Sequence, residues 1–283
     1  MFTRFPCDLC GKDDCVEIEV LRPYAGDQVP SVCRNCGFVY VPNSRSSEEV
    51  AAVWTDEIFE HAYTARIPAI KARQVYVAEF MDTSIGLSEK SVCDVGGGEG
   101  LFLDMLRDNY GAEVFAIEPS PAYCNAMSKR NIANFAGTVE QYLEQHGAAR
   151  RFDVVSIIWT LENCASCRVM LETAHKLLNE GGHIVVATGS RLLVPFKKPL
   201  HLYVGKAAAD SHAFRFSANT LKGLLATNGF EDPLVNRYID HDVLCAIAQK
   251  GDLENTVPWT RDDYRAVLDY FERWHRDTAA HYA

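Results

Sequence analysis

Apolar and polar positions along the 283 residues alternate between two periods, one of strands and one of helices. Val92–Val95, interrupted by Asp94, reads as a strand, and a helical pattern opens at Leu101-Phe102-Leu103, directly after Gly96, Gly98 and Gly100. Glu113–Ile117 predicts a second strand, Ala122–Arg130 a helix, Asn134–Ala136 a short third strand, and the turn Gly137-Thr138-Val139-Glu140 is followed by another helix to about His146. Phe152–Ile158 is nearly all apolar, as a parallel strand covered on both faces should be. Ala165–Leu178 sets Val169, Leu171, Ala174, Leu177 and Leu178 at helical spacing, and Asn179-Glu180-Gly181-Gly182 is expected to close that helix. His183–Thr188 predicts a fifth strand, Ser217–Phe230 a late helix and Val243–Gln249 a final strand. Strands alternating with helices in this way predict an α/β fold around a parallel sheet.

The flanks follow other patterns. Ser46 or Ser47, with Glu48 and Glu49 behind them, predicts a helix start running on toward Phe59, and Pro68–Met81 carries Ile70, Val75, Val77, Ala78 and Met81 at helical spacing. At the other end Thr260 is the expected cap of a helix over Arg261–Arg276, with Val267, Leu268, Phe271 and Trp274 on one face. That face is expected to pack on the chain or on a second subunit. Near the N-terminus, Val16–Val20 alternates apolar with acidic residues as a half-buried strand would, and Phe38–Val41 reads as another strand, ended by Pro42-Asn43.

Cysteine spacing adds chemistry to that N-terminal segment. Cys7-x-x-Cys10 and Cys33-x-x-Cys36 are each followed by a glycine, Gly11 and Gly37. A CxxC turn presents two thiolates from one tight loop, and two such knuckles close a tetrahedral four-sulfur site. Cys7, Cys10, Cys33 and Cys36 are therefore the expected ligands of a structural Zn2+ in a ribbon; four sulfurs leave no open position for catalysis. The competing reading is four buried thiols or a redox pair. Cys15 is expected to pack, as is the lone pair Cys164-x-x-Cys167. With no apolar leader in MFTRFPCDLC, a reducing cytoplasmic setting is expected, where paired cysteines read as metal ligands before disulfides.

The glycine turn indicates which ligand the main domain takes. A dinucleotide turn needs a third small residue where this chain has Leu101; its own third glycine comes earlier, at Gly100. Glu118 at the end of the second strand can accept hydrogen bonds from both hydroxyls of a ribose. The pattern Asp94-x-Gly96-x-Gly98-x-Gly100 resembles the first motif of class I S-adenosylmethionine (SAM) dependent methyltransferases. FDVVSIIWTLEN resembles that family's fourth motif, LLNEGGHIVVAT its fifth-strand motif and FSANTLKGLLATNGF its late helix, so the resemblance covers roughly residues 54–250. It implies a Rossmann-like, doubly wound, seven-stranded sheet. It also implies SAM contacts at Tyr63, Asp94, Gly96, Gly97 and Gly98, at Glu118 and Pro119 for the ribose, at Thr138, Val139 and Glu140 for the adenine, and at Trp159 and Leu161. The cysteine-rich lead-in resembles that of bacterial methyltransferases of sugar and polysaccharide tailoring. Relatives often carry HVLEH after the fourth strand; here Trp159 and Asn163 stand where the histidines would be, so a base at either place is absent. The NPPY-type motif of nucleobase methyltransferases is missing as well.

Composition narrows the partners. Hydrophobic content of 48% and charged content of 23% are those of a soluble globular chain, and no apolar run reaches the ~20 residues needed to span a bilayer. A formal net charge of −10 disfavours nucleic acid and anionic membranes. Methyl transfer to a hydroxyl needs positioning and a general base. The stretch Gly189–Phe216 holds the candidates His212 and His201, with Tyr203, Asp210, Arg215, Lys197 and Lys198 around them; the bland alternative for either histidine is a hydrogen-bonded surface residue. The expected organisation is a ribbon module over 1–45, a helical lead-in over 46–90, a SAM-binding domain over 91–250 with an insertion at 189–216, and a helical tail over 251–283. The expected function is methylation of a small polar acceptor, a sugar nucleotide or polysaccharide-related hydroxyl. The alternatives are a zinc-ribbon RNA methyltransferase and a non-catalytic SAM-binding regulator. Oligomeric state is left open by the sequence.

Overall fold

A computed structural model of the chain describes residues 5–26, 28–43, 67–147, 149–189, 199–200, 212–237, 243–253 and 258–279. Tyr63, His201 and the expected helix from Ser46 to Phe59 lie outside the described residues.

The N-terminal unit is a small antiparallel sheet. β1 (Cys15–Glu17) pairs with β2 (Ser31–Cys33), and β2 with β3 (Val39–Tyr40). The expected strand over Val16–Val20 stops early: the chain turns at Ile18 into a short 3-10 helix (Glu19–Leu21) and a single turn α1 (Arg22–Ala25) with Pro23 in its first positions. This turn buries Leu21 rather than continuing the alternation, and the fixed φ of a proline favours the start of a helix over a ladder.

The main domain follows as α2 (Ile67–Ile85), β4 (Ser91–Val95), α3 (Leu101–Tyr110), β5 (Glu113–Glu118), α4 (Pro121–Lys129), β6 (Ala133–Ala136), α5 (Val139–His146), β7 (Phe152–Ile158), a 3-10 turn (Leu161–Asn163), α6 (Cys167–Leu177) and β8 (Leu178–Gly189). β9 (Phe214–Arg215), α7 (Ala218–Thr227), β10 (Phe230–Val235) and β11 (Val243–Lys250) complete it, and α8 (Tyr264–Ala279) ends the described chain. Seven strands form one sheet in the order β10-β11-β8-β7-β4-β5-β6. β6, β5, β4, β7 and β8 run parallel, and β11 lies antiparallel between β8 and β10. Val154, Val155, Ile157, Ile184, Val185 and Val186 are wholly buried because helices cover both faces of this sheet. The Rossmann-like α/β architecture expected from the sequence is the one present.

Several boundaries differ from expectation. Asn179–Gly182 does not cap α6; β8 already pairs at Leu178 opposite Phe152, and the register then shifts so that His183 lies opposite Val154. The two glycines thus lie at an irregularity within a strand, where Gly181 takes φ +76°. β10 went unforeseen; Pro233 and two acids break its alternation, and its exposed Leu234 shows an edge strand. Nor is Thr260 the cap of the last helix: α8 begins at Tyr264, and the Asp263 carboxylate accepts from the Arg265 N–H at 3.0 Å while its carbonyl accepts from Val267. The apolar face of α8 packs within the chain. Val267, Phe271 and Trp274 bury against Ile18, Leu21, Val32 and Val39 of the N-terminal unit.

β9 links the two units. It joins the small sheet rather than the large one, with Val39 opposite Arg215 and Tyr40 opposite Phe214. Two residues of strand carry little periodic signal, which is why this pairing was not foreseen.

Candidate functional site

Strand order reverses between β4 and β7, and in open α/β sheets ligands bind outside the carboxyl ends of the strands at such a point. The glycine turn leaves β4 there. Gly96, Gly98 and Gly100 take φ of +79°, +54° and +80°, a region that only glycine enters without strain. A Cβ on Gly96 would collide with the Thr160 side chain, and one on Gly100 would stand 2.7 Å from Ile132 Cδ1 and Met127 Cγ. A Cβ on Gly98 would meet nothing within 4 Å. Gly96 and Gly100 are thus required by the fold, whereas Gly98 borders open space where a ligand can approach the backbone.

Two acids stand beneath this turn. Asp94 is buried at the end of β4 and accepts from the Ser156 hydroxyl at 2.6 Å. Burial, with the nearby Glu118 charge, pushes its carboxyl up to about 7, against the pull of that hydroxyl. Glu118 ends β5 and is also buried; its Oε2 accepts from the Gly98 N–H at 2.9 Å and its Oε1 from the Ser120 N–H at 2.9 Å. Burial raises its pKa while the two backbone donors oppose the rise. One carboxylate thereby ties the glycine turn to the strand end beside it. Each oxygen keeps a second lone pair, the capacity a pair of ribose hydroxyls requires.

The remaining expected contacts surround the same edge. Pro119 follows Glu118, and Pro121 opens α4 with Ser120 as cap. Thr138 caps α5 in a reciprocal box with Gln141, so its side chain holds the helix start while Val139 presents the first helical N–H and Glu140 stands half-buried behind it. Gly97 is close-packed: a Cβ there would lie 3.2 Å from Ala116 Cβ. Leu161 turns its side chain into the core, and its carbonyl accepts from the Cys164 thiol at 3.1 Å. Trp159 takes φ +55°, a left-handed conformation that is strained for a bulky residue and is held by its N–H donating to Ala187 at 2.7 Å.

Trp159 also begins a chain of hydrogen bonds that the sequence did not disclose. Its carbonyl accepts from Asn163 Nδ2 at 3.2 Å, and Asn163 Oδ1 faces His212 Nδ1 at 3.0 Å. Because Nδ2 is donating, the amide orientation is fixed and Oδ1 must accept. His212 Nδ1 is then the donor, and in the neutral ring the lone pair lies on Nε2. Asn163 does not supply the base that a histidine would; it hydrogen-bonds a histidine from the far end of the stretch 189–216. Glu162 beside it is buried and pushed up to about 7 by burial, and among the described residues its Oε2 has no hydrogen-bond partner.

The four knuckle cysteines come together as expected. Their sulfurs all lie within 4.8 Å of one another, with Cys7 and Cys36 at 3.6 Å and Cys10 and Cys33 at 3.5 Å. A tetrahedral ion with ~2.3 Å bonds to sulfur holds its ligands at about this spacing. Gly11 and Gly37 close the knuckles in left-handed conformations, donating to the Cys7 and Cys33 carbonyls at 2.7 and 2.9 Å. Hydrogen bonding among the thiols sets them apart: bonding to Cys10 raises Cys7 and Cys36, and bonding to Cys33 lowers Cys10. An all-sulfur set of this shape fits a closed structural metal site. Cys164 and Cys167 are buried with their sulfurs 3.9 Å apart, and both face the Leu161 carbonyl.

With the glycine turn, its acids and the strand order in place, comparison with known proteins identifies the family. A family described as a methyltransferase domain matches residues 69–233. The chain belongs to that family. This SAM-dependent methyltransferase is 26% identical over 191 residues to the ubiquinone biosynthesis O-methyltransferase of Proteus mirabilis, a match spanning 64% of this chain and 76% of that one. Its fold is similar to that of a SAM-dependent methyltransferase of Thermotoga maritima, with a TM-score of 0.54 and 18% identity over 71% of this chain and 99% of the other. The 1,6-didemethyltoxoflavin-N1-methyltransferase of Burkholderia thailandensis is similar to it with a TM-score of 0.51 and 16% identity, over 76% and 96% of the two chains. Among the described residues of this methyltransferase no helix is long and apolar enough to cross a membrane.

Proposed function

We propose that this methyltransferase methylates a hydroxyl of a small polar acceptor, with His212 as the general base. The observation that carries the reading is the contact between Asn163 Oδ1 and His212 Nδ1 at 3.0 Å: with the amide oxygen accepting there, a neutral imidazole has its basic nitrogen at Nε2. Bound SAM supplies an electrophilic methyl on a sulfonium; as the acceptor oxygen bonds the methyl carbon, the S–CH3 bond breaks and its electron pair stays on sulfur. His212 Nε2 receives the hydroxyl proton, and the imidazolium so formed is stabilised through Nδ1–H by the Asn163 carbonyl. With SAM bound, Glu118 would hold the ribose hydroxyls, the turn Gly96–Gly98 would face the amino-acid part, Val139 with Thr138 and Glu140 would border the adenine, and Trp159 and Leu161 would complete the site.

Sugar nucleotides and polysaccharide-related hydroxyls are the first acceptor class to test, on the likeness of the cysteine-rich lead-in to that of sugar-tailoring enzymes. The net charge of −10 speaks against RNA. Cys7, Cys10, Cys33 and Cys36 hold one structural Zn2+ in a ribbon that a chain of this compartment, the reducing cytoplasm, keeps as thiolates.

The test is S-adenosylhomocysteine formation by the metal-loaded protein over a panel of sugar nucleotides, simple phenols and RNA. Turnover with a hydroxyl-bearing small molecule and none with RNA is expected. Turnover on RNA alone, or SAM binding with no turnover on any acceptor, would replace this reading with one of the two alternatives. Metal analysis of protein purified without chelator should find about one zinc per chain.

A further inference from the structure

Two separate stretches of chain carry the Asn163–His212 pair, and the N-terminal ribbon grips both. The first is the strand that follows His212. β9 pairs with β3, and the Val41 N–H donates to the Ala213 carbonyl at 2.8 Å. The Phe38 ring packs on Phe214 and Phe216 at centroid distances of 5.9 and 5.7 Å. Arg215, buried in β9, donates from Nη1 to the His212 carbonyl at 2.9 Å. His212 is thus anchored to the ribbon sheet through the residues behind it.

The second stretch is the turn from Asn163 into α6. The Ser166 side chain caps this helix by accepting from Val169, which leaves the buried Cys167 N–H to be satisfied elsewhere. Asp8 does so from the first knuckle: its Oδ2 accepts from the Cys167 N–H at 2.6 Å, and its carbonyl accepts from Arg168 Nη2 at 2.8 Å. A carboxylate at a helix N-terminus is favoured by the helix dipole as well as by the bond itself. Between Asn163 and Cys167 the chain has little slack, because the Leu161 carbonyl accepts from both the Cys164 and Cys167 thiols, at 3.1 and 3.6 Å. Asp8 lies between the ligand cysteines Cys7 and Cys10, so its position depends on the closure of the knuckle.

We propose that the ribbon is a positioning device for the base, in which Asp8 fixes the start of α6, and with it Asn163, against a His212 that β3 holds through β9. The proposal rests on the reading of His212 as the base. It assigns the ribbon a catalytic consequence: the knuckle sets the distance across which Asn163 orients His212. Asp8 is a positioning residue, and its loss should affect the chemical step while sparing cofactor binding.

The experiment compares Asp8→Ala, Asp8→Asn, His212→Ala and the Asp8→Ala/His212→Ala double variant in the metal-loaded protein. Zinc content, SAM affinity by calorimetry, amide exchange over residues 161–169, and kcat with an acceptor that the panel has identified are measured for each. Asp8→Ala should keep its zinc and its SAM Kd, exchange faster over 161–169, and lose about tenfold or more in kcat. Asp8→Asn should restore both kcat and exchange protection, since its amide oxygen can accept from Cys167. In the His212→Ala background, Asp8→Ala should cost less than about twofold, because the two act on one step. The proposal is overturned if Asp8→Ala leaves kcat intact while His212→Ala does not, if it costs the same in both backgrounds, or if SAM affinity falls in step with kcat. If His212→Ala itself turns over normally, it is the base reading that fails, and the exchange data still decide whether Asp8 holds the turn. Asp8→Ser, whose side chain is too short to reach Cys167, takes the place of Asp8→Ala should that variant fail to fold.

Discussion

Replacing Glu118 by glutamine isolates the role of its charge while preserving its shape. In the folded chain each carboxylate oxygen accepts one backbone N–H, from Gly98 and from Ser120, both at 2.9 Å. A glutamine can accept only one of them; its amide NH2 then faces the other donor, and the glycine turn loses a tie to β5. For the cofactor the loss is larger. A carboxylate accepts from two ribose hydroxyls at once, and a hydrogen bond to a charged acceptor contributes about 1.5–3 kcal/mol. Removing the charge and one acceptor should weaken SAM binding by about 3 kcal/mol, or roughly 100-fold in Kd. Calorimetric titration with SAM measures this directly, and denaturant unfolding without SAM measures what the turn itself has lost. Wild-type affinity in Glu118→Gln would refute the assignment of Glu118 to the ribose. An equal loss of folding stability and of binding would show that the carboxylate serves only the turn.

Gly100→Ala should destabilise the fold by about 2–4 kcal/mol, combining left-handed strain with overpacking, because its Cβ would stand 2.7 Å from Ile132 and Met127. Gly98→Ala, with nothing within 4 Å of its Cβ, should cost only the backbone term of about 1 kcal/mol; equal denaturation midpoints for the two variants would contradict this. Glu162 is raised in the folded state from 4.5 to about 7, so its stabilising effect is present below pH 4.5 and is lost as pH rises through 7. Glu162→Gln should therefore flatten the stability profile over that window and leave the variant as stable as wild type or more so at pH 8, by up to about 3 kcal/mol; an unchanged pH slope would contradict the burial argument.

The sequence made legible whatever is local. Apolar patterns located most strands and helices of the main domain, β9 and β10 excepted, because the others are long enough to show their period, and Phe152–Ile158 matches β7 residue for residue. Gly96, Gly98 and Gly100 announced a tight turn because glycine takes the φ values found there without strain. The knuckles were legible because a four-sulfur site needs its ligands in two close pairs, and the four sulfurs meet. What stayed hidden depends on residues far apart in the chain. Asn163 and His212 are ordinary polar residues in the sequence and become a pair only when β9 joins the ribbon sheet. Asp8 gave no signal because its partner, the Cys167 N–H, belongs to another element. The departure at Asn163, which removed a histidine from its expected place, proved more informative than the agreement around it: the amide that stands there turns toward a histidine from elsewhere.

Single-turnover methyl transfer, with SAM already bound and the acceptor added, tests the role of His212 most directly when wild type is set beside His212→Ala. General base catalysis predicts a rate lower by about 10²–10⁴-fold in the variant, at unchanged SAM affinity. A His212→Ala rate equal to wild type would contradict the assignment of the base and, with it, the reading of the Asn163–His212 pair as the catalytic centre.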